Sequence, residues 1–356
     1  MPTQFRLFRL LFIALIGGAI ALLAACASSP SPERLGFRHG EDLLAGQLLL
    51  PDAAGPYPAV IFVHGDGALP WDAHGYYRPF MQALNDAGFA VYSWDKPGVG
   101  DSTGNWLRQS MQGRADEVAA ATAALRQDSR IRPDAIGLLG FSQAGWVMPK
   151  AIADDPELAF MISVSGAINW IEQSQYMTRN RMHLQGATEA EVSEALRFDR
   201  LLVGLMEADA SHEAYLDFMK EAPACCRDQM GADRWTFAKL NLRSDAKEDL
   251  RKVDVPVLAV FGNRDLNVDF SQSARVYERI LARTPGAVEV VVLPDADHSL
   301  LPTKSDRLVS VGWGLTRRII SIGFFGADAF ADGAVGLVAD WAAGLGLGDQ
   351  EPIAAR

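Results

Sequence analysis

The 356-residue sequence predicts an α/β fold: a mostly parallel twisted sheet with helices on both faces and a long, mostly helical insertion. Three observations point there. Short runs rich in Val, Ile and Leu recur without polar alternation, as strands buried on both faces require. Helical stretches long enough for right-handed crossovers separate the early runs. One connection, about ninety residues between Ser165 and Pro256, is far longer than a loop and has helical periodicity of its own.

Taken in order, the chain opens with Arg6 and Arg9 ahead of an uncharged apolar run from Leu10 to Ala25. The run falls short of the roughly 20 residues a membrane span needs, so residues 1–26 read as an export signal. Its end, Leu23-Ala24-Ala25-Cys26, resembles the bacterial lipobox. That implies acylation of Cys26 and an exported, membrane-anchored lipoprotein facing the periplasm or cell exterior; the alternative is plain signal cleavage with Cys26 an incidental thiol. The small, Pro-rich residues 27–33 read as a flexible tether. An opening hairpin is expected from Leu35–Phe37 and Leu43–Leu50, with His39-Gly40-Glu41-Asp42 as its turn. Buried strands follow at Ala59–Val63, Ala90–Trp94, Ile136–Leu139 and Met161–Val164, with helices near 76–87, 110–127 and 143–154 between them. Residues 34–165 form the first part of the core, and 166–254 form the insertion. There Thr188 and Glu191 make a capping box ahead of Val192, Leu196, Leu201 and Leu205 at helical intervals. Strands Val257–Phe261 and Val288–Leu293 belong to the second core part, 255–345, which ends in a helix at Asp332–Gly344; residues 346–356 are a tail. The apolar stretch Leu308–Phe325 reads as a packed helix, with a mouth-flanking or membrane-resting helix as the alternative.

Composition narrows the function. A net charge of -11 argues against a nucleic-acid partner, which would need a cationic surface. Besides Cys26 there are only Cys225 and Cys226, whose adjacency matches no zinc-ligand spacing. A vicinal disulfide, two unrelated thiols or a pairing between chains all stay open for them. No metal or organic cofactor is expected, membrane contact is expected only through the anchor, and oligomeric state is open.

The chemistry concentrates at strand ends. Ile136–Leu139 runs into Gly140-Phe141-Ser142-Gln143-Ala144-Gly145 and then a helical stretch, the context of a nucleophile elbow. Gly140 and Ala144 must be small so that the tight turn does not collide with itself, and Gly145 lets the next helix approach the sheet. Ser142 needs a base, because its hydroxyl is a poor nucleophile at neutral pH. Of the histidines, His298 follows strand Val288–Leu293 and lies downstream of the acid candidates, matching the order Ser, Asp, His. Asp265, in the turn after Val257–Phe261, is the acid that orients it, with Asp269 as runner-up. Asp297 reads as a loop carboxylate exposed to water, and Asp95 as the anchor of the Pro97–Gly100 turn. Oxyanion donors are expected from the backbone N–H groups of Gln143 and Asp66, the latter presented by the turn His64-Gly65. A carboxylate there opposes the developing charge, so Asp66 should turn away or pair with a donor. Trp170, Tyr176, Met177, Met182, Tyr215, Phe218, Met219, Trp235 and Phe237 are the pocket candidates of the insertion, though most should be its own core.

Val63-His64-Gly65, Trp94-Asp95-Lys96-Pro97-Gly98-Val99-Gly100-Asp101-Ser102-Thr103-Gly104, Gly140–Gly145, Gly262-Asn263-Arg264-Asp265 and Asp297-His298 together resemble the ordered motifs of the α/β-hydrolase superfamily. They are most similar to bacterial esterases and the serine-aminopeptidase-like branch. The resemblance spans about residues 34–345 and implies the α/β-hydrolase fold, a triad of Ser142, Asp265 and His298, and a helical cap over the site. Two departures bear on substrate class: Pro97 stands where many relatives have Arg, and Asp66 follows the His-Gly pair. The expected activity is hydrolysis of a small-molecule carboxylic ester through an acyl-enzyme. A peptidase acting on short peptides is the alternative, for which Glu172 is the candidate site for a substrate amino terminus, and a catalytically idle binding protein is the third reading.

Overall fold

The computed structural model describes residues 31–303 and 313–347; the expected signal, Cys26, residues 27–30 of the tether and residues 348–356 of the tail lie outside the described residues. The strands are β1 (Glu33–Arg34), β2 (Phe37–His39), β3 (Asp42–Leu44), β4 (Gly46–Leu49), β5 (Tyr57–Val63), β6 (Ala90–Trp94), β7 (Ile131–Phe141), β8 (Met161–Val164), β9 (Val257–Gly262) and β10 (Val288–Leu293). Eight of them form one sheet in the order β1-β4-β6-β5-β7-β8-β9-β10. Every neighbouring pair from β6 to β10 is parallel, and β4 and β1 close one edge antiparallel.

In chain order the helices are α1 (Arg78–Asp86), α2 (Met111–Arg126) and α3 (Met148–Asp154); then α4 (Trp170–Leu184), α5 (Glu189–Glu207), α6 (His212–Met219), α7 (Ala232–Asn241) and α8 (Lys247–Leu250) between β8 and β9; then α9 (Phe270–Leu281), α10 (Trp313–Phe325) and α11 (Ala334–Gly344). The strand pattern shows why the central strands are apolar throughout. On β5, Ala59, Ile61 and Val63 face the layer of α2, α3 and α9, while Val60 and Phe62 face the layer of α1 and α11. Burying each such large side chain stabilises the fold by roughly 1.5–3 kcal/mol, so neither face tolerates polar alternation.

Three local expectations change. The opening hairpin is shorter, because Phe37–His39 pairs with Asp42–Leu44 alone, whereas β4 leaves to pair with β6. The free edge of β6 offers β4 a row of main-chain partners that the ribbon lacks. Strand β7 starts earlier than expected, with Ile131 opposite Tyr57 and a register shift before Ala59. The helix expected at 143–154 is broken into a 3₁₀ turn, Ser142–Trp146, and α3. Pro149 has no N–H to donate and is tolerated only in a first turn, so an α-helix containing it must begin near Met148.

The helices between β8 and β9 carry their own apolar cluster, centred on Met182, Val192, Phe198, Tyr215 and Trp235. Asn169 caps α4, and Thr188 with Glu191 forms the capping box at the start of α5. Ala246, Leu250 and Val253 pack instead with the sheet, so this second cluster ends near Leu242. Cys225 and Cys226 are free thiols, with Cys226 buried. In the late apolar stretch, residues 304–312 lie outside the described residues; Ile322 of α10 is buried, while Ile320, Phe324 and Phe325 are exposed. Among the described residues no single helix is long and apolar enough to cross a membrane. The bent pair Thr316–Ala329 and Ala334–Gly344 passes by length and composition only, and the second of these is packed through Ala334, Val335, Val338 and Ala342.

Candidate active site

Strand β7 ends at Phe141 and the chain reverses at Ser142, whose φ of 51° lies in the left-handed region. Such a conformation costs a non-glycine residue on the order of 1–3 kcal/mol, and persists only where its surroundings impose it. Here they do. A Cβ on Gly140 would come within 2.5 Å of the Ala144 Cβ, and one on Gly145 within 2.6 Å of the Ala167 nitrogen. The Ser142 carbonyl accepts from the Ala167 N–H at 3.1 Å, which ties the turn to the segment after β8.

The other two members arrive from the ends of β9 and β10. Asp265 is fully buried; its Oδ1 accepts from the N–H groups of Asn267 (2.8 Å) and Val268 (2.9 Å), leaving Oδ2 for His298 Nδ1 at 2.8 Å. The carboxylate places the ring proton on Nδ1, so Nε2 presents its lone pair to the Ser142 hydroxyl at 3.0 Å. Residues 156 positions apart thus join in one hydrogen-bonded chain that can carry a proton from Ser142 to the imidazole.

Asp269, the runner-up acid, instead caps α9 by accepting from the Gln272 N–H. Asp95 holds the turn after β6 by accepting from the N–H groups of Asp101 and Trp71. The expectation for Asp297 is corrected: it is fully buried, accepts from the Ser299 N–H and pairs with Arg318, which braces the His298 loop from behind. A cation at hand is what allows that carboxylate to be buried.

On the opposite side of Ser142, the loop after β5 lies close enough that a Cβ on Gly65 would be 3.6 Å from the Ser142 Cβ. Two buried cations grip this loop from beneath: Lys96 Nζ donates to the Gly65 carbonyl at 3.1 Å, and Arg114 Nη2 donates to the His64 carbonyl. The Gly65 carbonyl and the Asp66 N–H belong to one trans peptide and point in opposite directions, so pinning the first aims the second. The Asp66 carboxylate is paired, as its position demands. Arg234 of α7 holds it bidentately at 3.0 and 2.8 Å, and Gln143 Nε2 donates to it at 3.2 Å. Burial pushes the Asp66 carboxyl up, but the hydrogen bonds and charge of Arg234, with Lys96, hold it below the usual carboxylate range. Gln143 in turn accepts from Arg114.

Burial, with Arg114 beside it, holds Lys96 well below the ordinary lysine range, and its ammonium lies 4.3 Å from the Trp106 ring centre. His64 is buried; its Nε2–H donates to the Trp94 carbonyl, and burial, Lys96 and Arg114 push its pKa down to about 3. Lys96, Arg114 and Arg234 escape the sequence reading. Lys96 lies within the stretch Trp94–Gly104, but nothing in the sequence shows that it and the two arginines converge on one loop.

A cavity of about 410 Å³ opens on Ser142, within the usual size of small-molecule sites. Trp146 and Trp170, stacked at 5.2 Å, wall one end. Gln173, Ser174, Met177, Thr178 and Arg181 line another side at spacings that form one stripe of α4, and Asp66, Gln143 and Arg234 complete it. Of the expected pocket residues, Trp170 and Met177 reach the cavity. Met182, Tyr215, Met219 and Trp235 are core of the helical insertion, Phe218 stacks on Phe198, and Phe237 packs with the sheet. Tyr176, on another side of α4, donates to the Asp265 carbonyl at 2.8 Å. Glu172 is engaged by Lys247 and Gln272 and does not line the cavity.

The model of the family described as serine aminopeptidase, S33, matches residues 55–304. No curated protein matches the chain. Among solved structures it is similar to a 2,6-dihydroxy-pseudo-oxynicotine hydrolase, with 20% identity, a TM-score of 0.51 and coverage of 76% of this chain and 63% of that one. It therefore spans less than two thirds of that hydrolase. An esterase of Pyrococcus furiosus is 18% identical, with a TM-score of 0.51 and coverage of 76% and 83%. Est1E from Butyrivibrio proteoclasticus, solved with ferulic acid bound, is 14% identical, with a TM-score of 0.51 and coverage of 88% and 97%. At such identities these likenesses show the fold, which is that of the α/β-hydrolases.

Proposed function

The chain belongs to the serine aminopeptidase S33 family of hydrolases, and from that premise we propose that it cleaves carboxylic esters through an acyl-enzyme formed on Ser142. The observation that carries this reading is the hydrogen-bonded chain from Asp265 through His298 to Ser142. In the first half-reaction Ser142 Oγ attacks the ester carbonyl while its proton passes to His298 Nε2, and Asp265 stabilises the imidazolium. The tetrahedral oxyanion is received by the N–H groups of Gln143 and Asp66; removing one such donor commonly costs about 3 kcal/mol of transition-state stabilisation. Collapse expels the alcohol, protonated by His298, and leaves the acyl group on Ser142. Water, deprotonated by His298, then repeats the sequence and releases the acid.

An ester is favoured over an amino-terminal peptide by the charge of the cavity. Arg234 neutralises Asp66, Glu172 lies off the cavity, and Arg181 adds a positive charge, so a substrate ammonium would find repulsion rather than a partner. Labelling with a fluorophosphonate probe tests the nucleophile: wild type should label and Ser142→Ala should not. Comparing 4-nitrophenyl esters with aminoacyl-anilides tests the substrate class, and faster turnover of the anilides would replace the ester reading with the peptidase one. The export signal and Cys26 complete the proposal as an envelope lipoprotein. Cys26→Ala should move the protein from the membrane fraction to the soluble one, and an unchanged distribution would remove the anchor.

A further inference from the structure

Resting on that reading of Ser142, we infer that Arg181 is a recognition site for a carboxylate, so that the substrate class is an ester that also bears a free acidic group. Two cations line the cavity, and they differ in kind. Arg234 is spent on Asp66, which it holds bidentately. Arg181 is held by neutral groups: Nη1 donates to the Cys225 carbonyl at 3.0 Å, and Nη2 contacts the Cys226 sulfur at 3.8 Å. These contacts fix the guanidinium without neutralising it. Asp199 is the neighbouring carboxylate that feels its charge, yet burial raises the Asp199 carboxyl, one of its oxygens has no hydrogen-bond partner, and the two side chains form no ion pair. A guanidinium has five donors in a fixed fork that matches a carboxylate bidentately, and Arg181 therefore keeps donors for a ligand.

Its place in the cavity defines the rest of the ligand. Along α4 the lining runs from Trp170 to Arg181, about 16 Å at the rise of an α-helix. The tryptophan end is apolar and the arginine end is cationic, so an occupant has an apolar body and an acidic terminus. The contrast is local, since the protein as a whole carries a net charge of -11 and does not draw anions to its surface in general.

The carboxylate can belong to the acyl half or to the alcohol half of the ester, and the substrates separate the two. For the acyl half, the 4-nitrophenyl half-esters of succinic, glutaric and adipic acids are compared with 4-nitrophenyl butyrate and valerate. For the alcohol half, 4-acetoxybenzoate is compared with phenyl acetate. Wild type should prefer the charged member of at least one set. Arg181→Gln should lower kcat/KM for that member by about 10- to 100-fold, a loss several times larger than on the neutral esters, while Arg181→Lys keeps part of the preference. A readout free of catalysis is calorimetric binding of glutaranilic acid and of neutral valeranilide to Ser142→Ala, with and without Arg181→Gln. Selective binding of the acid that depends on Arg181 supports the subsite even if fluorophosphonate labelling shows Ser142 to be inert. Labelled Ser142 together with no charge preference, or with equal losses on charged and neutral esters in Arg181→Gln, overturns it.

Discussion

The left-handed backbone of Ser142 gives a direct handle on how strongly the surrounding turn constrains it. Ala keeps the Cβ that makes this conformation costly and Gly does not, so Ser142→Gly should be more stable than Ser142→Ala by about 1 kcal/mol in urea unfolding. Lys96 is a positioning residue in this scheme, because it reaches the oxyanion loop through the Gly65 carbonyl. Lys96→Met should lower kcat by roughly 10-fold or more with little change in KM, the pattern of an interaction that matters only in the transition state. His64 ties stability to pH. Its folded pKa of about 3 lies below the ordinary value of 6.5, so between those values the unfolded chain binds the extra proton, and stability falls as pH drops from 6.5 toward 3. The slope of its contribution is about 1.4 kcal/mol per pH unit, and urea unfolding from pH 7 to 4 should show a shallower decline in His64→Gln. The residues legible beforehand, Ser142, Asp265 and His298, each follow a recognisable strand. Lys96, Arg114 and Arg234 were not legible, since their roles come from which carbonyl or carboxylate the packed chain brings to them.

Between elements, the decisive link is the one from α7 to the loop after β5, made by Arg234 and Asp66. Removing the arginine leaves an unpaired carboxylate beside the place where the proposed reaction forms its oxyanion, and like charges there would raise the barrier. Arg234→Ala should therefore cut kcat/KM about 10-fold or more. Asp66→Asn should recover most of that loss in the double variant while changing little alone, a coupling that a double-mutant cycle measures directly. The buried strands are readable because five consecutive apolar residues, as at Val257–Phe261 in β9, suit only a position covered on both faces. The partner of β4 is not, because alternation says which face a strand buries and nothing about which edge it joins. The break at Pro149 follows from its missing N–H, and the capping box at Thr188 is legible by the same kind of local rule.

For the molecule as a whole, the sheet is sealed by apolar layers on both faces, whereas the helices between β8 and β9 depend on a separate, smaller cluster. Local opening should follow that division: amides of α5 and α6 should exchange with solvent at lower free energy than those of β5, β7 and β8, as hydrogen-exchange mass spectrometry would register. One helix crosses the boundary in an instructive way. Tyr176 and Asn180 of α4 donate to the carbonyls of Asp265 and Leu266, while its neighbours Met177, Thr178 and Arg181 face the cavity. A guest that fits poorly and nudges this helix also tugs on the residue that steers the imidazole. Misfits of that kind are penalised in how fast they are turned over, even when they are held tightly.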